Sequence, residues 1–286
     1  MDAAGEKRPA ASRRRLQRES DANMSAAPQS ASSPSDGAKP RRVLLLGGTR
    51  EARLLAAQLA QTPEIAATLS LAGRTSAPIA THLPTRVGGF GGVEGLKRYI
   101  VEERIERVVD ATHPFAERIS ANARAACAAL GVPLAVLQRA PWERRPGDRW
   151  IEVSDNAQAA AALGEPPRRV FLTIGRLGVR AFQAAPQHHY LLRSIEPPAP
   201  DELPPETKIV LARGPFAVGE EIALMRDERI DVVVTKNSGG PLTYAKIEAA
   251  RALGLGVVVV APPAAAGASR LADMDAALAF LRAPLG

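Results

Sequence analysis

The chain has 286 residues, 46% of them hydrophobic and 4% aromatic, which is enough length and apolar material for two domains of ordinary size. Its single cysteine, Cys127, excludes an internal disulfide and suits a reducing compartment. The formal net charge is +7, yet more than half of it sits in the first 42 residues, and no basic helix or aromatic–basic interleaving accompanies it, so the charge does not argue for nucleic acid.

Residues 1–40 are rich in Ala, Ser, Pro and Arg and nearly free of large apolar side chains. Such a segment buries too little surface to offset its ordering entropy, and a disordered basic extension is expected. Ser12-Arg13-Arg14-Arg15-Leu16 has the charge of an export signal, but no apolar stretch follows it. No run reaches the ~18 apolar residues of a membrane span. A cytoplasmic protein without membrane contact is the expectation.

From residue 41 the pattern alternates. Short apolar strands are expected at 43–46, 65–71, 107–110 and 133–137, with helices at 50–61, 93–104 and 115–130 between them. Cys127 falls in the alanine-rich last helix and reads as a small core residue. Residues 139–150, with Pro141, Trp142 and Pro146, break the pattern as a crossover. A second series follows, with strands at 169–173, 189–194, 208–212, 231–235 and 256–260 and helices near 176–185, 216–228, 242–254 and 272–283. The order predicts an α/β protein of two doubly wound, Rossmann-like parallel-sheet domains, 41–140 and 141–286, with a ligand cleft between them.

Ligands of such sheets lie beyond the carboxyl ends of the strands, and the informative residues stand there. Val43 to Leu46 run into Gly47-Gly48-Thr49-Arg50 and a helix, a turn that suits an anion at a helix N-terminus. The pattern Gly-x-Thr-x-x-Ala departs from the usual dinucleotide fingerprint in Thr49, whose hydroxyl is expected to donate to a phosphate oxygen. Ala72-Gly73-Arg74-Thr75 follows the second strand. Arg74 stands where an acidic residue would bind a ribose hydroxyl, which favours a 2′-phosphate and NADP(H).

Four glycines crowd Gly88-Gly89-Phe90-Gly91-Gly92, just after Arg86, a density suggesting unusual backbone angles or close ligand approach. After the third strand, Asp110 or Thr112 can cap a helix opened by Pro114, and His113 lands where a ligand lies. In the second series, Arg176, Arg193, Arg213 and Lys236 stand at four of five strand ends, a repetition that suggests a polyanionic ligand. Ser238 lies in Asn-Ser-Gly-Gly rather than a nucleophile elbow, and no metal-binding spacing of Cys or His appears.

Taken together, Leu45 to Ala52, Ala72 to Thr75, Gly88 to Gly91, Asp110 to Ala116, Arg213-Gly214-Pro215-Phe216 and Thr235-Lys236-Asn237-Ser238-Gly239-Gly240 resemble the precorrin-6A reductase family of cobalamin biosynthesis. The resemblance covers about 42–262. It implies two Rossmann-like domains and NADPH-dependent reduction of the C18=C19 bond of a tetrapyrrole macrocycle, precorrin-6A, to precorrin-6B. In the anaerobic route the related substrate carries cobalt. It further implies that Gly47, Gly48, Thr49 and Arg50 hold the pyrophosphate, that Arg74 and Thr75 take the 2′-phosphate, and that Gly88, Gly89 and Phe90 pass near the adenosine or ribose.

Thr112 and His113 are then expected beside the nicotinamide. Arg176, Arg193, Arg213, Lys236 and Ser238 are candidates for the many carboxylates of the macrocycle. The proton that accompanies the hydride would come from His113, Lys236 or a water. No metal is implied, and a monomer or homodimer is expected. A short-chain reductase would need a Tyr-x-x-x-Lys pair, and here Tyr244 and Lys246 are only two apart. A non-catalytic NADPH-sensing regulator would need an output surface, and no DNA-reading helix is legible.

Overall fold

A computed structural model describes residues 39–73, 81–263 and 268–284; the expected extension before 39, and Arg74 and Thr75, lie outside the described residues. Residues 39–286 form one compact unit that contains two six-stranded sheets, every strand pair parallel.

The first sheet uses β1 (Arg41–Leu46), β2 (Ile65–Leu71), β3 (Thr85–Val87), β4 (Arg107–Asp110), β5 (Leu134–Leu137) and, from the far end of the chain, β12 (Ser269–Leu271). Their spatial order is β3-β2-β1-β4-β5-β12. The order reverses between β1 and β4, which opens the crevice of a doubly wound sheet. Strand alternation feeds two cores from one run of residues. Val43 and Leu45 pack toward α1 (Arg50–Leu59) and α7 (Met274–Arg282). Leu44 and Leu46 pack toward α2 (Gly92–Glu102) and α3 (Glu117–Leu130), where Cys127 is 2% exposed and burial raises its thiol pKa to about 12. A strand covered on both faces must be apolar where it is covered, and the buried part of this one, Val43 to Leu46, is.

The second sheet has the order β9-β8-β7-β10-β11-β6, built from β6 (Arg149–Val153), β7 (Arg169–Thr173), β8 (His189–Ser194), β9 (Thr207–Leu211), β10 (Val232–Lys236) and β11 (Gly256–Val260). Val170, Leu172, Val232 and Val234 face α4 (Asn156–Ala161) and the 3₁₀ segment Arg176–Ala184, while Phe171, Val233, Val257 and Val259 face α5 (Val218–Asp227) and α6 (Ala245–Ala252). The expected α-helix at 176–185 is thus a 3₁₀ segment. Three short strands, β3, β6 and β12, sit where the pattern suggested none.

The last two elements differ from the expected division at residue 140, because β12 and α7 return to the first sheet. Two arginines explain how they are held. Arg41 from β1 donates to the carbonyls of Leu281 and Ala283, and buried Arg107 from β4 donates to those of Ala283 and Pro284 at 2.8 and 2.9 Å. The carbonyl end of a helix carries partial negative charge and unpaired acceptors, and these two cations satisfy both.

The crossover between the sheets is clasped to the second one. Asn237, 4% exposed, accepts from the Trp142 amide (2.7 Å) and donates to the Trp142 carbonyl (2.9 Å), while the Trp142 indole donates to the Gly240 carbonyl. Side chains at Gly239 or Gly240 would strike Ala140 or Arg139.

Candidate active site

At the end of β1 the chain must turn directly over β2. A Cβ at Gly47 would stand 2.5 Å from the Leu69 side chain, so only glycine lets the turn pack there. Gly48 has φ +130 and open space where a side chain would be. Thr49 caps α1, its hydroxyl accepting from the Ala52 amide at 3.1 Å. The same hydroxyl donates its one proton to the Ala111 carbonyl at 2.8 Å, tying the β1 turn to the β4 turn. The expected donation from Thr49 to a phosphate would have to exchange this bond to the Ala111 carbonyl. What remains for an anion is the first-turn amides of α1, which have no intrahelical acceptor, and the exposed Arg50.

Arg86, on β3, organises the glycine-rich loop. Its guanidinium donates to the Ser70 hydroxyl (2.9 Å) and the Gly88 and Gly89 carbonyls (2.9 and 3.0 Å), and lies 3.8 Å above the Phe90 ring. Phe90 also meets Tyr99 edge-on, so its ring anchors the loop against α2. Gly88 adopts φ +117, with open space beside it and beside Gly89. A Cβ at Gly95 would overlap the Phe90 carbonyl, which lets α2 approach the loop closely.

After β4 the expected helix cap is displaced. Asp110, 1% exposed, accepts from the Thr112 amide (3.0 Å) and hydroxyl (2.6 Å), and α3 starts only at Glu117, with Ala116 at its N-cap position and no side-chain cap. The carboxylate thus fixes the turn and buries Thr112, rather than capping a helix opened by Pro114. His113 projects from this turn and is exposed, with Nδ1 accepting from the Phe115 amide at 3.3 Å. Enclosure of the ring, then the charges of Lys236 and Arg139, lower its pKa to about 4. Given the exposure, the direction rests most firmly on the two neighbouring cations. His113 is therefore neutral at pH 7.

The second sheet divides its four expected cations. Lys236 at the end of β10 lies 5.1 Å above the Phe115 ring, and Phe115 in turn stacks near His113, so residues from both sheets meet at one point. Arg213 is exposed after β9. Arg176 is half-exposed and pairs with Glu196 at 3.5 Å. Arg193 is turned inward: 7% exposed, it makes a two-pronged pair with buried Glu221 and stacks on Phe216 at 3.6 Å. A strand-end arginine with a carboxylate on the neighbouring helix is drawn inward, and the sequence did not reveal that partner.

A cavity of about 130 Å³ lies at the same junction, lined by Pro114, Gln138, Arg139 and Arg270 from the first sheet's side and by Asn237 and Ser238 from the second. Ser238 thus sits where expected, whereas Gln138, Arg139 and Arg270 carried no motif signal. Arg139 also pairs with Glu51 of α1 at 3.6 Å. A larger hollow of about 320 Å³ opens where β7, β8 and β9 begin. It lies at the wrong end of the strands for a doubly wound sheet, and its charges pair off as Arg169–Glu228, Lys208–Glu228 and His189–Glu206. Among the described residues, no group of His, Cys, Asp or Glu is placed to hold a metal, and no helix is long and apolar enough to cross a membrane.

A model of the precorrin-6x reductase CbiJ/CobK family matches residues 42–282. Precorrin-6A reductase of Rhodobacter capsulatus is 50% identical over 240 residues, which is 84% of this chain and 95% of that protein. Cobalt-precorrin-6A reductase of Salmonella typhimurium is 30% identical over 234 residues, covering 77% of this chain and 87% of that protein. A solved structure of CobK precorrin-6A reductase aligns with a TM-score of 0.77 at 50% identity, over 84% of this chain and 96% of that one.

Proposed function

The chain belongs to the precorrin-6x reductase CbiJ/CobK family, and from that premise we propose that it reduces the C18=C19 double bond of precorrin-6A with NADPH, giving precorrin-6B in corrin-ring construction. The observation that carries the site is the meeting of His113, Phe115 and Lys236 at the β4 turn that Thr49 ties to the β1 turn, where Gly48 leaves open space. The higher identity to the relative named for precorrin-6A, 50% against 30% for the one named for the cobalt form, supports a metal-free macrocycle.

The residues fit a nicotinamide dinucleotide. The side-chain-free surfaces of Gly48, Gly88 and Gly89 leave room for close backbone approach, and the α1 amides with Arg50 meet the pyrophosphate. Arg74 and Thr75 are the residues on which the choice of NADPH over NADH rests. When bound, the cofactor supplies a hydride, and the protein's part is positioning and charge.

Neutral His113 orients the reacting ring as an Nε2–H donor, on a turn that Thr112 and Asp110 hold in place. Because His113 holds no exchangeable imidazolium proton at neutral pH, Lys236 is the residue that delivers the proton to the carbon next to the one receiving hydride. Arg213, Ser238 and, after exchanging Glu196, Arg176 receive carboxylates of the macrocycle.

Purified full-length chain incubated anaerobically with precorrin-6A and NADPH should oxidise the nucleotide and give a product heavier by two hydrogens. Turnover with NADH at an equal rate, or NADPH binding without any turnover, would overturn the reading.

A further inference from the structure

Beneath the loops that follow β9 and β10 lies a buried charged group that the reduction itself does not use. Lys246 on α6, Arg193 on β8 and Glu221 on α5 are 3%, 7% and 2% exposed. Two cations face one carboxylate, leaving a net positive charge inside the protein, an arrangement that costs stability unless something else answers it. The Lys246 ammonium donates to the Thr243 carbonyl at 2.5 Å and lies 4.9 Å from the Trp142 ring.

Each member holds a loop. Arg193 stacks under Phe216, and a Cβ placed on Gly214 would come within 3.2 Å of the Phe216 ring and 3.4 Å of the Leu242 carbonyl, so the two loops run close together there. Lys246 holds Thr243, the next residue. The segments 213–216 and 241–243, which carry Arg213 and follow Ser238, therefore rest on one floor.

We propose that Lys246 is a positioning residue for the macrocycle: with Arg193 and Glu221 it fixes both loops and presents a positive floor to the substrate's carboxylates. This rests on the substrate reading above. A residue kept for packing alone would be apolar here, since methionine fills the same volume without the burial penalty. Burial, followed by the charge of Arg193, lowers the Lys246 pKa to about 7 against the opposing pull of Glu221. The other charges nearby sit across Tyr244, where Arg251 is paired to buried Asp148 and Arg145 covers the ring. Binding of a polyanion thus draws a proton onto Lys246 near neutrality.

The test compares Lys246→Met, Lys246→Arg and Phe216→Leu with the wild type, measuring KM and kcat for precorrin-6A from pH 6 to 9, calorimetric NADPH affinity and thermal midpoint. Lys246→Met should raise KM about tenfold at pH 6.5, the loss of roughly one charge contact, with kcat and NADPH affinity little changed. Its midpoint should equal or exceed that of the wild type. The wild-type rise in KM through pH 7 should vanish in both variants, with KM high throughout in Lys246→Met and low throughout in Lys246→Arg, whose guanidinium stays charged over the range. Phe216→Leu should raise KM but keep the pH dependence. An unchanged KM, a parallel loss of NADPH affinity, or a Lys246→Met protein that fails to fold would overturn the proposal. A wild type inactive on precorrin-6A would instead sink the substrate reading.

Discussion

Gly48 combines a backbone conformation that side chains avoid with empty space on the ligand side. Gly48→Val should therefore strain the turn and fill that space, weakening NADPH about a hundredfold by calorimetry, while the Leu69-packed Gly47 leaves the helix in place. At the junction, Lys236→Met should lower kcat by about 10²- to 10⁴-fold with NADPH affinity retained, the size of a lost general acid. His113→Asn keeps a donor and should cost far less, and kcat/KM should show no limb that titrates near the usual histidine pKa. Positions were legible at this scale and roles less so. Thr49 and Arg193 were both found as candidates from their places at strand ends. Each turned out to be engaged by a partner distant in sequence, Ala111 and Glu221, which no local pattern discloses.

The strands β1, β5 and β11, with apolar runs of four, and β2, β4, β7, β8, β9 and β10, with runs of two or three, stood out because a strand covered on both faces is hydrophobic along its buried part. The strands that escaped notice, β3, β6 and β12, are short edge or near-edge pieces of three to five residues with polar faces, such as Thr85-Arg86-Val87. The 3₁₀ segment 176–184 has the apolar spacing of a helix, with Val179 and Phe182 buried, and spacing alone does not distinguish the two windings. Helix α7 is the element most dependent on a distant anchor. Arg107→Ala removes two charge-assisted bonds to its last carbonyls, and should destabilise the protein by about 2–4 kcal/mol in urea unfolding with an unchanged m-value.

For the whole molecule, buried or cation-flanked bases set the pH response. His113 has a folded pKa of about 4 against an ordinary 6.5, so the unfolded chain binds the extra proton between those values. Stability is full above 6.5 and falls as pH drops toward 4. His188, fully buried with Nδ1 accepting from the Arg168 amide, is also lowered and adds in the same direction. Lys246 acts in a second window: with a folded value of about 7 and an unfolded one of 10.5, it makes stability rise as pH climbs from 7. Urea midpoints measured from pH 4 to 9 should thus rise in two stages, with His113→Asn reducing the first, to which His188 still contributes, and Lys246→Met flattening the second.

Fold class, sheet parallelism, the glycine turns and the strand-end residues were all determined by local pattern, because burial of a strand and permission for positive φ act on residues close in sequence. The return of β12 and α7 to the first sheet, the pairing of Arg193 with Glu221, the neutral state of His113 beside Lys236 and the buried charge on Lys246 were decided only by tertiary structure. Each depends on a group tens to hundreds of positions away, and both electrostatics and helix capping respond to distance in space rather than along the chain.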